Sequence, residues 1–487
     1  MKKTLLLLLF NVITWVSIYA AHVDTTAIVR LNFPTLHIYT IDQEEPTCDY
    51  AFPPPGAFGI GTTNKNKVHG RAVLTKQKEV LFDSGDYEKD VSGITIKIRG
   101  NTSAYYYSKK GYKIKLQKKA DMLCRGDDRF NDKDWALIND GDLALNTMIG
   151  LKVSQLMGLG WTPEYLYVNL IMNGEYRGIY MLIESVERNA DCRLDVDKQT
   201  GYIFERDAYW WNEDKYFTTP MNKEFTFKYP DSDDLTDEQM EYLKNYMETF
   251  EQSIADGTYH HYIDLESFAR WLLAHDILGT YDSGGSNIFL TKYDNTDTTR
   301  VHMATLWDFN SIMRTTDNWA RVHHNYFYYE QLFNDPYTRF TQVYKDVWQK
   351  NATSVFEQLI QYLSDYAESK TAMYIDISRN FDHYRWNYTD NTTVKDNIDR
   401  AITWFNDRYE WLNAHIDTLW VYPTNIDVHR STLNVHRSTI YDLNGRKMPT
   451  NRPLRPGIYI KNGRKSPSPR PPMGGGSPSP CPPYGGE

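Results

Sequence analysis

Asp282, Asn287 and Asp308 have the residue types and spacing for phosphoryl transfer. Asn287 follows Asp282 by five positions, and Asp308 lies in the run LWDFN (306–310) further on. Between them stand IFLTKY (288–293), a polar turn at 294–299 and VHMATLW (301–307). An antiparallel hairpin made of these runs brings Asp308 back beside Asn287. Two hard oxygen ligands so joined suit magnesium on nucleotide phosphates, and a carboxylate at 282 suits the proton of an acceptor hydroxyl. The stretch YDSGGSNIFL (281–290) also offers Ser283 as a nucleophile. A trypsin-type serine needs a His base and an Asp orienter placed well upstream on β-barrels. Here His275 precedes Asp282 by seven residues inside a helical segment, and no G-x-S-x-G elbow occurs. The 13 His show no HExxH-like spacing, which removes the metal-hydrolase reading. Ser283 is read as a loop residue.

The elements that must position these residues are legible in the pattern. ITIKIRG (94–100) and YKIKL (112–116) alternate with period two, after a Pro/Gly-rich break at 53–61. Gly56, Gly59 and Gly61 have reversed spacing for a phosphate cradle and are read as a loop. Residues 143–158 have helical spacing and end at Gly158. YLYVNLIMNG and YRGIYMLIES (165–185) form a hairpin about Asn173-Gly174. Helices are predicted over 236–255, 263–279, 340–368 and 394–420, with apolar stripes that are core. The layout is a β-rich first half and an α-rich second half.

The ends differ in character. Lys2-Lys3 and the apolar run to about Ala20 read as a secretory signal peptide over 1–20. No other apolar run is long enough to span a bilayer. The four cysteines lack CxxC spacing, so zinc is not indicated, and an oxidising compartment permits a Cys124–Cys192 disulfide or free thiols. The net charge of −9, with no strongly basic stretch, argues against nucleic acid as a partner. IYDLNGRK (440–447) and PGIYIKNGRK (456–465) suggest a small β segment over 421–465, and the Pro/Gly-rich 466–487 reads as disordered.

The Asp-x4-Asn spacing followed by Asp-Phe resembles a protein-kinase catalytic loop and metal-binding loop. RGNTS (99–103), KKGYKIKL (109–116), DWALIND (134–140), VNLIMNGEYRGIYMLIESVER (168–188), TGYIFERD (200–207), FKYPDSDDLTDEQMEYL (227–243), GTYDSGGSNIFLTKY and LWDFN together resemble the spore-coat protein H (CotH) kinase family, in order over about 28–420. The resemblance implies an atypical two-lobed, protein-kinase-like α+β fold, with an N-lobe over about 28–190 and a C-lobe over 191–420. It implies transfer of phosphate from ATP, with Mg2+, to Ser or Thr of an exported protein. Asp282 would be the catalytic carboxylate, and Asn287 and Asp308 the metal ligands. Lys110, Lys113 or Lys115 would meet the phosphates; Glu184 would sit at the nucleotide edge or in a structural ion pair. This sequence departs from the family at Asn310, where Asp is usual, and at Leu145, where a basic residue is usual. The C-terminal β segment resembles a type IX secretion sorting signal, which implies a secreted or outer-surface protein. A surface adhesin or binding module on the same fold is the competing reading, because ATP is scarce outside the cytoplasm.

Overall fold

A computed structural model of the chain describes residues 22–139, 145–280, 285–313, 327–419, 440–441, 458–461 and 464–467. The signal-peptide reading of 1–20, Asp282 and Ser283, and the tail from 468 onward lie outside the described residues. The chain falls into two units, Met1–Trp420 and Val421–Glu487.

The first unit runs through α1 (Thr25–Arg30), β1 (Pro34–Thr40), the short pair β2 (Asp49–Ala51) and β3 (Gly61–Thr63), β4 (Val68–Lys76), β5 (Glu79–Asp83), β6 (Ile94–Arg99), α2 (Thr102–Tyr106), β7 (Gly111–Ala120), β8 (Asp132–Ile138), α3 (Leu145–Leu156), β9 (Tyr165–Met172) and β10 (Glu175–Glu184). It continues through β11 (Tyr202–Arg206), β12 (Tyr216–Thr218), β13 (Glu224–Tyr229), α4 (Asp237–Ala255), α5 (Leu265–Leu278), β14 (Ile288–Lys292), β15 (Val301–Thr305), α6 (Tyr329–Phe333), α7 (Arg339–Ala367), α8 (Lys370–Trp386) and α9 (Val394–His415).

The class is mixed α+β. The first large sheet has the order β1-β9-β10-β8-β7-β6-β4-β5, and β1 also pairs with β4, so it closes into a barrel. Alternation fills the interior: Ile94, Ile96 and Ile98 of β6 meet Tyr112, Ile114 and Leu116 of β7, with Leu36, Leu74, Trp135, Leu170 and Leu182 from the other strands. The outward positions of β6 and β7 are then forced to be Thr95, Lys97, Arg99, Lys113 and Lys115.

A second sheet, β12-β13-β11-β14-β15, follows residue 190. The predicted division into a β-rich half and an α-rich half is therefore incomplete. These strands are short, and β11 and β14 are almost wholly buried, so they carry little alternation to read. One core joins β10, the second sheet and helices α3, α5, α7 and α9 through residues such as Met181, Phe204, Leu272, Leu290, Leu359 and Phe405. The predicted hairpins are present: Ile288–Lys292 pairs antiparallel with Val301–Thr305, and β9 with β10 across Asn173-Gly174, both with positive φ. Cys48, Cys124 and Cys192 are free thiols, so the Cys124–Cys192 bridge is not formed.

In the second unit, Ile440–Tyr441, Ile458–Lys461 and Arg464–Pro467 form a three-stranded antiparallel sheet. The expected β segment therefore extends to 467, and Ser466 and Pro467 pair with Tyr459 and Ile458 instead of opening the tail. No helix among the described residues is long and apolar enough to cross a membrane.

Candidate active site

The β14–β15 hairpin closes as its sequence demands, and Asn287 Nδ2 lies 3.4 Å from Asp308 Oδ2. Both residues are left-handed, with φ of 58° and 61°. Asn and Asp tolerate this region better than other side chains, and such conformations cluster at functional sites. The backbone of Asn287 donates to Glu205 Oε1 at 3.2 Å. Phe309, next to Asp308, is buried against α3, where a Cβ on Gly150 would stand 1.9 Å from its ring. Gly150 is thus required by close approach, and it lets α3 brace the segment that carries Asp308. The backbone N–H of Met313 donates to Leu278 O at 2.8 Å, tying the same segment to the end of α5.

The approach to Asp282 is also fixed. Helix α5 ends at Gly279 with φ of 57°, and His275 Nδ1 and Thr280 Oγ1 are 2.8 Å apart. The guanidinium of Arg408, wholly buried on α9, donates through Nε to Asp276 O at 2.8 Å. A cation at the last carbonyls of a helix is favourable. Asp282 lies three residues beyond Gly279.

One barrel cation, Arg99, acts on Asp308. Arg99 ends β6; burial pulls its pKa down, and the charge of Asp308 pulls it back up. Its Cζ lies 5.7 Å from the Trp307 ring centroid. Lys97 stands directly opposite Lys113 in the β6–β7 register. Burial first, then Lys113, Lys65 and Lys67, depress the Lys97 ammonium to about 8. Among the described residues, Lys65, Lys97 and Arg99 lie within ion-pair distance of no carboxylate. Carboxylates act on them only through space, Asp308 on Arg99, Glu213 on Lys65 and Asp134 on Lys97, and a surface that crowds cations attracts an anion.

The three lysines singled out from the sequence have different fates. Lys113 is gripped by Glu187 at 2.8 Å and Asp134 at 3.0 Å, which hold its pKa above the usual value. Lys115 is half exposed and 3.9 Å from Asp134. Lys110 donates to the Ala104 carbonyl, with Tyr50 Oη at 3.5 Å, so its ammonium staples α2 to the β2–β3 hairpin. Glu184 is the ion-pair alternative: it is buried, Arg125 lies 2.9 Å from Oε1, and the Glu164 N–H donates to Oε2 at 3.0 Å. Asn310 is exposed and its backbone N–H lies 3.5 Å from Asp308 Oδ1. Leu145 is buried in the main core at the start of α3.

Sequence reading gave no role to Lys65, Lys97, Arg99, Glu205 or Lys228. The K-x-R alternation in ITIKIRG was the signal for Lys97 and Arg99. Gly59 packs against Tyr209 in the loop before β3, whereas Gly61, read as a loop residue, opens β3 and pairs with Ala51, its α-carbon close to Asn212. No group of three His, Cys, Asp or Glu suited to a metal exists among the described residues. Asn287 with Asp308 supplies two hard-oxygen side chains. That fits magnesium, which keeps waters and phosphate oxygens in its remaining positions.

A mixed α+β protein with an Asn/Asp pair joined by a hairpin and a barrel arginine acting on the Asp has parts that a kinase-like phosphotransferase uses. The sequence profile described as CotH kinase protein matches residues 96–412, from β6 through most of α9. That is well over half of the chain, and the chain belongs to the CotH kinase family. Comparison with curated proteins returns no match.

Proposed function

We propose that this protein is an exported, magnesium- and ATP-dependent protein kinase that transfers the γ-phosphate to Ser or Thr of another exported protein. The observation that carries the reading is the meeting of Asn287 and Asp308 at 3.4 Å. Those two side chains would hold magnesium, which when bound neutralises charge on the β- and γ-phosphates. Arg99, Lys97 and Lys65 bind the phosphate oxygens, and Lys113, held between two carboxylates, presents an ammonium of fixed direction. Asp282 accepts the acceptor hydroxyl proton while the acceptor O–P bond forms, the bond from the γ-phosphorus to the bridging oxygen breaks, and ADP leaves. Export rests on the charged-then-apolar N-terminus and on the sorting-like segment at 440–465.

The test is thermal stabilisation of the full chain by ATP, magnesium and both together, with phosphate incorporation into a generic acceptor. Stabilisation that needs both, with incorporation, is the expected result. No stabilisation and no incorporation would favour a surface-binding module. The feature supporting that second reading is the exposed aromatic group of Phe52, Phe58, Tyr105, Tyr106 and Tyr107, 41–68% accessible, beside the end of β6.

Lys97 makes the phosphate role checkable by pH. Its folded pKa of about 8 lies below the ordinary lysine value of 10.5. Its charged form is therefore disfavoured by the fold. That destabilisation is fully present below pH 8 and is relieved as pH rises from 8 to 10.5. A bound polyphosphate raises the pKa again, so nucleotide binding at pH 9 should take up a proton. Lys97→Met should raise Tm at pH 7, weaken ATP binding and abolish the proton uptake. Calorimetry in two buffers of different ionisation heat measures it. Equal heats in both buffers for the parent would remove Lys97 from the phosphate site.

A further inference from the structure

We propose that Glu205 is a positioning residue: its carboxylate, steadied through its other oxygen by Lys228, holds the backbone N–H of Asn287 so that this left-handed residue keeps its side chain turned to Asp308. The inference rests on the kinase reading and deepens it.

Glu205 lies in β11, the central strand of the second sheet, opposite Thr226 of β13 and Phe289 of β14. It is only 5% exposed. Its neighbour Phe204 enters the main core, so Glu205 points to the other face, shared with Asp207, Thr226 and Lys228. Lys228 Nζ is 2.9 Å from Oε2, and the Asn287 N–H donates to Oε1 at 3.2 Å. Asp207 is occupied elsewhere: Oδ1 accepts from the Tyr209 N–H at 2.8 Å and Oδ2 lies 3.4 Å from Thr226 Oγ1. Glu205 is thus the carboxylate committed to Asn287. The Glu205 carboxylate is buried while the Lys228 side chain is 33% exposed, and a desolvated carboxylate is an expensive way to fill a strand face that an apolar residue of similar volume would fill as well. The use that explains it here is the second oxygen. A hydrogen bond to the backbone of a ligand residue fixes where the ligand stands, and such supporting contacts are worth about 10–100-fold in metal affinity.

Glu205→Leu alone removes the ion-pair partner of Lys228 as well as the acceptor, which mixes the two effects, so two double variants carry the test. Glu205→Gln with Lys228→Met removes both charges but keeps a carbonyl acceptor for the Asn287 N–H. Glu205→Leu with Lys228→Met removes both charges and the acceptor. In the full chain, the magnesium concentration giving half-maximal ATP-dependent stabilisation should change little in the Gln/Met variant. It should rise about 10-fold or more in the Leu/Met variant. Amide hydrogen exchange at Asn287 without nucleotide should stay slow in the first and become fast in the second. If the two doubles behave alike in exchange, whether both slow or both fast, the hydrogen bond has no positioning role. If the parent needs no magnesium or binds no ATP, the kinase reading fails, while the exchange comparison still decides what Glu205 does to Asn287.

Discussion

Asp282→Ala is expected to keep most ATP affinity and lose phosphate transfer by something on the order of 10²-fold or more, whereas Asp308→Ala is expected to lose both together. The two carboxylates differ in when they act. Asp308 stands beside Asn287 and acts on the Arg99 charge, so on the proposed reading it would work in the ground state, holding metal and nucleotide before any bond changes. Removing it also leaves Arg99 facing no anion, which further disorders the phosphate side. On the proposed reading Asp282 would meet the acceptor hydroxyl, so its contribution would grow as the proton leaves, and an interaction made mainly in the transition state lowers kcat without raising the nucleotide Kd. Ser283→Ala should do little. The measurement is ATP affinity with magnesium and phosphate incorporation for the three variants. Loss of activity in Ser283→Ala with activity kept in Asp282→Ala would mean that YDSGG holds a nucleophile after all.

How much of this site was legible depends on how local each feature is. The hairpin that joins Asn287 to Asp308 is twenty-odd residues of alternating apolar strand and polar turn, so the sequence pattern alone predicted the meeting. The barrel interior was legible for the same reason, since Ile94, Ile96 and Ile98 can face only one way. What was not legible is pairwise and distant. Glu205 and Lys228 are two strands' worth of chain apart, and nothing in TGYIFERD or FTFKY says that their charges meet on one face of the sheet. The choice among Lys110, Lys113 and Lys115 was equally hidden, because it depends on which carboxylates the rest of the barrel brings up. Closure of the barrel requires β1 to pair in parallel with β9, over a hundred residues away, which no local pattern encodes. Helix α8 was missed outright. Its buried face carries Ser378, Arg379, Asp382 and Arg385 beside Ala372 and Ile375, so it shows no apolar stripe to find.

That polar face gives a large expected stability effect. Lys109 Nζ lies 2.9 Å from Asp382 Oδ1, with side-chain exposures of 3% and 10%. The ammonium also sits 5.0 Å from the Tyr180 ring centroid. The same Asp382 oxygen accepts the Ile179 N–H at 3.1 Å. The carboxylate can come this close only because Gly178, at φ +112°, has no Cβ; one there would stand 1.8 Å from Oδ1. Asn169, Tyr176 and Ser378 add a second buried hydrogen-bonded group along the same contact, so α8 docks on β10 largely by specific polar pairing. Asp382→Ala leaves a buried ammonium and a buried N–H without their acceptor, and should cost about 3–5 kcal/mol. Lys109→Met combined with Asp382→Asn removes both charges yet keeps an acceptor for Ile179, and should recover most of that loss. Urea unfolding of the parent, Lys109→Met, Asp382→Asn and their double gives the coupling directly, with Asp382→Ala measured beside them. A single-variant cost below about 1 kcal/mol, the range of exposed ion pairs, would show that apolar contacts alone hold α8 in place.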